Sequence, residues 1–488
     1  MKKQFKTIIC SLLCVAMSVS SFVSCANDSD DEKKPAKNDK VTTETGKDAP
    51  VFKSADYDED EFRILHYGDT AKDFHDAYIW ADSVTGGTIG DAVAERNLLV
   101  EEEYNVKIAA EECSPMSEAT QRMQAGQCDV DLIYEWGSRS VAAALDGQLY
   151  DFRELEDIDF EDSWWVPSAA ESLTIADRMF IGTNMISMNS ISWAGIVFFN
   201  KNMMDKLNFE YPYTNVEQNT WTCDLMLEMM NAAEEDVNGD GEMTIEDQYG
   251  GFGVELGSIL YREPLAQREN DGSYTVIGYT EKMVARYSQY SRMLSSASTH
   301  GYEYFWDEVD PSVNPSIHVA TRMTVFGEDH ALFMAGSIDM TKELVNMKSD
   351  YGVVPDPKAD PADEWQTGVD YNAPMFSLPV QLEDPEMVAT VLDYMAYESE
   401  RLLLPAYYET TIKTKRMEDQ RDYAMLDIVR NSVTNDPISL YINGVEDNGF
   451  EFRNKMLAAG NFASVWARYG KKAQAGLDRL FEIIEDID

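Results

Sequence analysis

Positive charge is scarce in this chain. Forty Lys and Arg stand against 88 Asp and Glu, and the 488 residues carry a formal charge of −48. A body this acidic repels phosphate backbones, which excludes nucleic acid as the expected partner. Cysteine is scarce too. Cys10, Cys14 and Cys25 lie near the N-terminus, which leaves Cys113, Cys128 and Cys223. An odd number without close spacing is neither a disulfide framework nor a zinc site. Cys113 and Cys128 flank one predicted helix, so a pair between them is one reading; small buried thiols are the preferred one. Catalytic signatures are missing as well: there is no G-x-S-x-G, no H-E-x-x-H and no P-loop. Gly250-Gly251-Phe252-Gly253 follows a loop and does not join a strand to a helix, so it is no phosphate cradle. After the first 25 residues no apolar run approaches the length of a membrane span, and no repeat of fixed period recurs.

What is present begins at the N-terminus. Lys2, Lys3 and Lys6 precede an apolar run from Ile8 to Val15, and small residues lead to Phe22-Val23-Ser24-Cys25. A charged start, a short apolar core and small residues before a cut make a secretory signal peptide. The end of the run resembles the lipobox of bacterial lipoproteins, with Phe22 where Leu is usual. That resemblance implies that Cys25 becomes the first residue and is acylated. Residues 1–25 are therefore expected as a lipoprotein signal peptide. Residues 26–58 have almost no large apolar residue and are expected as a disordered tether. A single acyl chain holds weakly, so stable anchoring takes more than one.

The remainder has the composition of a folded body: 44% of the chain is hydrophobic and 11% aromatic. Residues 62–67 read as a strand. Ile89, Val93, Val100 and Tyr104 recur at helical spacing. Val106, Ile108 and Ala110 alternate as a second strand. A short helix runs from Ser117 and closes at Gly126, and 129–134 is a third strand. Strands alternating with helices imply a parallel sheet. Ligands sit beyond the carboxyl ends of such strands, which points to His66-Tyr67, Glu111-Glu112 and Glu135-Trp136. Further on, 195–199 and 351–355 read as strands and 356–368 as a Pro- and Asp-rich loop. Residues 387–397 and 477–484 read as amphipathic helices, the latter with Leu477, Leu480, Phe481 and Ile484 on one face.

Several segments together resemble extracellular solute-binding proteins of sugar-type ABC importers, particularly lipoproteins of anaerobic Gram-positive bacteria. They are Asp91-Ala92-Val93-Ala94-Glu95-Arg96-Asn97 with Val100-Glu101-Glu102-Glu103-Tyr104-Asn105-Val106, then Ile196-Val197-Phe198-Phe199-Asn200-Lys201 and Asn219-Thr220-Trp221-Thr222. Asp247-Gln248-Tyr249-Gly250, Ala331-Leu332-Phe333-Met334-Ala335-Gly336 and Tyr351-Gly352-Val353-Val354-Pro355 follow in the family's order. The resemblance implies an α/β, periplasmic-binding-protein-like type II fold: two α/β lobes with a ligand cleft and a hinge. The chain would cross between lobes near 190, 365 and 405. Lobe 1 would hold 59–190 plus about 365–405, and lobe 2 would hold 191–364 plus about 406–488. It also implies a monomer on the cell surface, lipid-anchored to the outer face of the cytoplasmic membrane. Such a protein is not an enzyme; it captures a mono- or oligosaccharide and delivers it to ABC permease subunits. In one place the chain departs from the family. Many sugar binders carry an aromatic after Ala-Gly, whereas here Ser337-Ile338-Asp339 follow Gly336.

Two sets of side chains are candidates for sites. Asp236-Val237-Asn238-Gly239-Asp240-Gly241-Glu242 with Thr244 and Asp247 matches the calcium loop D-x-N-x-D-G. Asp236, Asn238 and Asp240 would supply side-chain oxygens, Glu242 its carbonyl and Thr244 a direct or water-mediated contact. Asp247 stands where a bidentate carboxylate belongs, as in the dockerin variant of the loop, which carries two copies where this chain has one. A structural Ca2+ is expected; the bland reading is an acidic turn without metal. The second set is aromatic, because sugars are held by aromatic faces and planar polar groups. Trp80, Trp136 and Trp193 are the expected platforms, with Asp82, Glu135 and Asp339 as acceptors of hydroxyl hydrogen bonds. Trp164, Trp165 and Trp221 are read as packing. Two other functions compete. One is a secreted carbohydrate-active hydrolase, which needs only two carboxylates. The other is a surface adhesion protein.

Overall fold

The computed structural model describes residues 50–67, 78–81, 88–253, 263–269, 273–344, 346–370, 373–413, 420–434, 436–459 and 461–487. The signal peptide with Cys25, most of the tether, and Asp82 lie outside the described residues. The expected tether ends earlier than residue 58. The Phe52 ring packs 5.0 Å from the rings of Tyr394 and Tyr397, and the Tyr57 N–H donates to the Tyr104 carbonyl at 3.0 Å.

The strands are β1 (Glu61–His66), β2 (Lys107–Glu112), β3 (Leu132–Trp136), β4 (Gly195–Asn200), β5 (Tyr249–Phe252), β6 (Ala266–Arg268) and β7 (Tyr274–Val276). They continue with β8 (Thr299–His300), β9 (Ala331–Ser337), β10 (Tyr351–Pro355), β11 (Thr367–Gly368), β12 (Pro374–Ser377) and β13 (Val433–Thr434). Two larger sheets result, ordered β12-β3-β1-β2 and β10-β4-β9-β5-β8. In the first, β1 runs parallel to β2 and β3, while β12 returns from far along the chain antiparallel to β3, with Pro374 opposite Trp136. In the second, β4 lies antiparallel to both β10 and β9.

The first sheet follows from its local sequence. Phe62, Ile64 and Leu65 are buried on β1. The helix Thr88–Tyr104 buries Ala92, Val93, Arg96, Asn97, Val100 and Tyr104, a stripe of helical period that contains two polar residues. The helix Pro115–Ala125 starts earlier than expected because Pro suits a first turn. It ends as expected at Gly126, whose φ of 65° is left-handed. In the second sheet Asn200 caps the helix Lys201–Leu207 by accepting the Met203 N–H at 3.0 Å. Trp221 is fully buried and donates to the Pro355 carbonyl at 2.9 Å, which makes it packing, as read from the sequence. Trp164 and Trp165 are also core: both indole N–H groups donate to one oxygen of Asp393, at 2.8 and 2.7 Å. Cys113, Cys128 and Cys223 are free thiols. The final helix, Phe462–Glu485, buries Leu477, Leu480 and Ile484, and Phe481 stacks on Tyr274 at 4.7 Å. Residues 437–444 pack on the helix Gly137–Leu145 beside the first sheet. Ile438 and Tyr441 are buried in this stretch.

Asp131 gives this core a pH dependence. It is buried just before β3 and accepts the Arg63 N–H at 2.8 Å. Burial pushes its carboxyl up to about 7. The unfolded value is about 3.9, so the protonated form is the one the fold favours. The stability it contributes is complete below about pH 4 and is lost as pH rises through about 7. Asp131→Asn keeps an acceptor oxygen without the charge. Thermal melts at pH 5 and pH 8 should differ less for this variant than for the native chain, and an identical difference would refute the assignment.

Candidate functional site

β3 ends in Glu135 and Trp136, and the helix Gly137–Leu145 starts at once. Strand end and first helical turn therefore place Glu135, Trp136 and Arg139 together, beside Tyr67 at the end of the neighbouring parallel strand β1. Glu135 is buried. Its carboxylate accepts the Trp136 N–H at 2.8 Å, the Met116 N–H at 3.4 Å and the Tyr67 hydroxyl at 2.9 Å. Burial pushes the Glu135 carboxyl up, against the pull of these hydrogen bonds. Tyr67 is raised to about 12, by burial first and then by its bond to Glu135. Glu135 thus holds Tyr67 in place, where the sequence reading has it accepting from a ligand's hydroxyls. Arg139 donates to the Tyr67 oxygen, and its guanidinium carbon lies 4.1 Å from the Trp136 ring centroid. The Tyr67 and Trp136 rings are 6.0 Å apart and tilted by 49°. Glu111, at the end of β2, is committed elsewhere: it pairs with Arg122 at 2.5 Å and with Arg63 at 3.8 Å.

A second group gathers where the chain enters β4. The short helix Asn189–Ser192 precedes Trp193, which is half-buried. Asn189 is buried and donates from its amide to the Tyr134 hydroxyl at 2.8 Å and to the Pro374 carbonyl. This ties the Trp193 segment to β3 and β12. The Ile338 N–H donates to the Ala194 carbonyl at 3.3 Å, so Asp339 and Trp193 sit on neighbouring segments. Asp339 pairs with Lys342. It is also one of the charges that, after burial, raise the Tyr78 phenol, so the loop carrying Trp80 approaches the same region. The structure therefore brings the segments of Trp193 and Asp339 together.

The loop 356–368 is less loop-like than its composition suggests. Asp356, Lys358 and Glu263 are buried and, with Arg286, Asp363 and Trp365, line a cavity of about 20 Å³, room for about one water. Arg286 donates to both oxygens of Glu263 at 2.8 Å and also pairs with Asp363. The Lys358 ammonium lies 4.2 Å from the Trp365 centroid, and burial pulls its pKa down.

Arg96 has the widest reach of these side chains. It is fully buried. It donates to the Tyr78 and Ile79 carbonyls at 2.8 Å each, to the Ser399 hydroxyl at 3.2 Å and to the Ile186 carbonyl at 3.5 Å. Asn97 accepts from it at 2.7 and 2.9 Å and donates to the Ile79 carbonyl at 3.3 Å. Burial lowers the guanidinium to about 9. The family-like Glu95-Arg96-Asn97 run was the sequence signal for this hub. For Arg139 the signal was weaker: a cation one helical turn past a strand end.

The loop 236–247 is closed by its own side chains. Asp236 accepts the Gly239 and Gly241 N–H groups at 2.7 Å each, Asn238 accepts that of Asp240 at 2.8 Å, and Asp240 that of Glu242 at 2.8 Å. Gly239 and Gly241 have φ of 72° and 88°, which glycine adopts without strain. Asp247 is buried and accepts from the Val237 N–H at 3.0 Å and from the Thr244 N–H and hydroxyl at 2.7 and 3.1 Å. Among the described residues, no three His, Cys, Asp or Glu side chains are grouped so as to hold a metal ion. The oxygen donors of Asp236, Asn238 and Asp240 suit calcium in kind, and both oxygens of Asp236, like both of Asp247, accept N–H groups of the loop.

Arg96→Met should unfold readily. Three backbone carbonyls lose a buried donor, and an unsatisfied buried group costs about 1–3 kcal/mol. Denaturant melts should show a loss of about 3 kcal/mol or more, and a loss below about 1 kcal/mol would contradict the role given to Arg96.

No protein-family model matches this sequence, and no curated protein does. Solved structures do. An ABC substrate-binding protein from Listeria monocytogenes, in complex with cycloalternan, is similar with a TM-score of 0.51 at 10% identity, over 88% of this chain and 100% of that one. The galacto-N-biose/lacto-N-biose I-binding protein of an ABC transporter from Bifidobacterium longum, in complex with lacto-N-biose, gives 0.51 at 12% identity, over 87% and 98%. UspC of M. tuberculosis gives 0.53 at 11% identity, over 85% and 100%. At such identities the likeness speaks for architecture: this chain has the periplasmic-binding-protein-like α/β fold of ABC solute-binding proteins.

Proposed function

We propose that this protein is the solute-binding component of an ABC importer, capturing a mono- or oligosaccharide and delivering it to permease subunits without turning it over. The observation that carries this reading is the group of Tyr67, Glu135, Trp136 and Arg139 at the carboxyl ends of parallel strands, where such sheets bind ligands. The sugars bound by the similar proteins of L. monocytogenes and B. longum support the substrate class. The two larger sheets are the cores of two lobes, with the solute between them and Trp193 and Asp339 on the facing side. The protein acts as a monomer, held at the cell surface through a lipid on Cys25. Among the described residues no helix is long and apolar enough to cross a membrane.

Isothermal titration against a broad glycan panel tests this. A stacked aromatic contributes on the order of 1 kcal/mol beyond its buried area. Trp136→Ala should then weaken binding about tenfold with melting nearly unchanged. Trp221→Ala should instead cost about 3–5 kcal/mol of stability, as loss of a core Trp does. Binding of peptides or amino acids with a silent glycan panel would overturn the substrate class, and hydrolysis of the bound oligosaccharide would overturn the role.

We also propose that residues 236–247 hold Ca2+ in a structural role, through Asp236, Asn238, Asp240, the Glu242 carbonyl and Thr244. The donor set and the two left-handed glycines support this. Asp247 acts as the internal staple of the loop. A chelator should lower the melting temperature, added calcium should restore it, and Asp240→Ala should abolish the response. Identical melting with and without chelator would refute the cation.

A further inference from the structure

Arg139 is an unusual cation for this chain. Acids outnumber bases more than two to one, and several arginines elsewhere pair with carboxylates, while buried Arg96 is closed by backbone carbonyls, Ser399 and Asn97. Arg63 pairs with Glu61, Glu111 and Asp129. Arg122 pairs with Glu111, Glu118 and Asp129. Arg286 pairs with Glu263 and Asp363, and Arg322 with Glu343. Arg139 is exposed, and among the described residues no carboxylate lies within ion-pair distance of it.

It is nonetheless held in place. One face lies on Trp136 at 4.1 Å, with Tyr67 at 5.6 Å on its flank. One nitrogen donates to the Tyr67 hydroxyl oxygen. That hydroxyl spends its only proton on Glu135 at 2.9 Å, so it can only accept from Arg139. Glu135 is in turn fixed by the backbone N–H groups of Trp136 and Met116. A guanidinium has five N–H donors in a rigid fork. Among the described residues one is used here, on a guanidinium seated over the indole, which leaves the rest of the fork for a planar bidentate acceptor.

We propose that Arg139 is the specificity-determining residue of the binding site and that it reads a carboxylate, so the solute is an acidic, uronate-bearing carbohydrate. The inference rests on the sugar-binding reading above. A long-range field cannot draw an anion to so acidic a protein, so selection falls to one local, oriented cation. Glu135 lies near but is buried, and its hydrogen bonds are directed at the protein; it positions Tyr67 and does not compete for the fork.

The test is titration calorimetry of the protein with length-matched neutral and uronate tetrasaccharides, the latter from glucuronate, galacturonate and mannuronate series, repeated with sulfated neutral tetrasaccharides. One uronate series should bind at least about tenfold more tightly than its neutral counterpart, and the sulfated series, whose acceptor is not planar, should gain less. Arg139→Gln should remove this preference while melting stays unchanged, and Arg139→Lys should restore only part of it because a point charge lacks the fork. Equal or tighter binding of the neutral series would overturn the proposal and leave the sugar reading intact. So would an Arg139→Gln loss of the same size for both series. Silence of all three series in a folded protein would overturn both.

Discussion

A guanidinium buried without a carboxylate is the constraint around which this chain is arranged. Arg96 projects from the helix Thr88–Tyr104 and satisfies its donors on backbone carbonyls and a serine hydroxyl. Those acceptors come from the loop before the helix, from the segment leading to β4 and from the turn after the helix Pro385–Glu398. A buried charge is tolerated only when its hydrogen bonds are complete. Each of these distant segments is therefore tied into the core through Arg96. The helix stripe that a hydrophobic pattern alone would make apolar thus carries the cation that joins segments some 300 residues apart in sequence.

The same economy governs the strand ends. Glu135 is a buried carboxylate whose acceptor sites are filled by two backbone N–H groups and a phenol. It transmits that order through Tyr67 to Arg139, which lies on Trp136. Ordering a polar surface in this way reduces the entropy a ligand must supply on binding. On the side of the second sheet, the amide of buried Asn189 links the Trp193 segment to β3 and β12.

The comparisons and the chemistry bear on different questions. The similar structures from L. monocytogenes and M. tuberculosis cover 88% and 85% of this chain at about one residue in ten identical. Architecture survives such divergence because it depends on burial pattern and strand order. Binding preference does not, because it depends on single side chains, and similar folds carry many ligands.

The strand–helix–strand opening was legible because each of its elements is written locally. Alternation marks β2, an apolar-rich run marks β1, helical spacing marks 88–104, and Gly126 ends the next helix. The third strand was displaced from 129–134 to 132–136 because Asp129 and Asp131 are drawn off by Arg122 and the Arg63 backbone, partners that no local pattern contains. The Asp236–Asp247 loop was legible as a turn with its glycines, whereas the commitment of Asp247 to Val237 and Thr244 was not. Sequence composition made 356–368 a Pro- and Asp-rich loop; packing against Glu263, Arg286 and Tyr290 made part of it the wall of a charged cavity. The sequence by itself determined the acidic body, the local elements and the family-like order of segments, because these rest on neighbours a few residues apart. Tertiary structure alone decided what Glu135, Arg96 and Arg139 do, because a polar side chain takes its role from the partner it meets, and those partners come from remote parts of the chain.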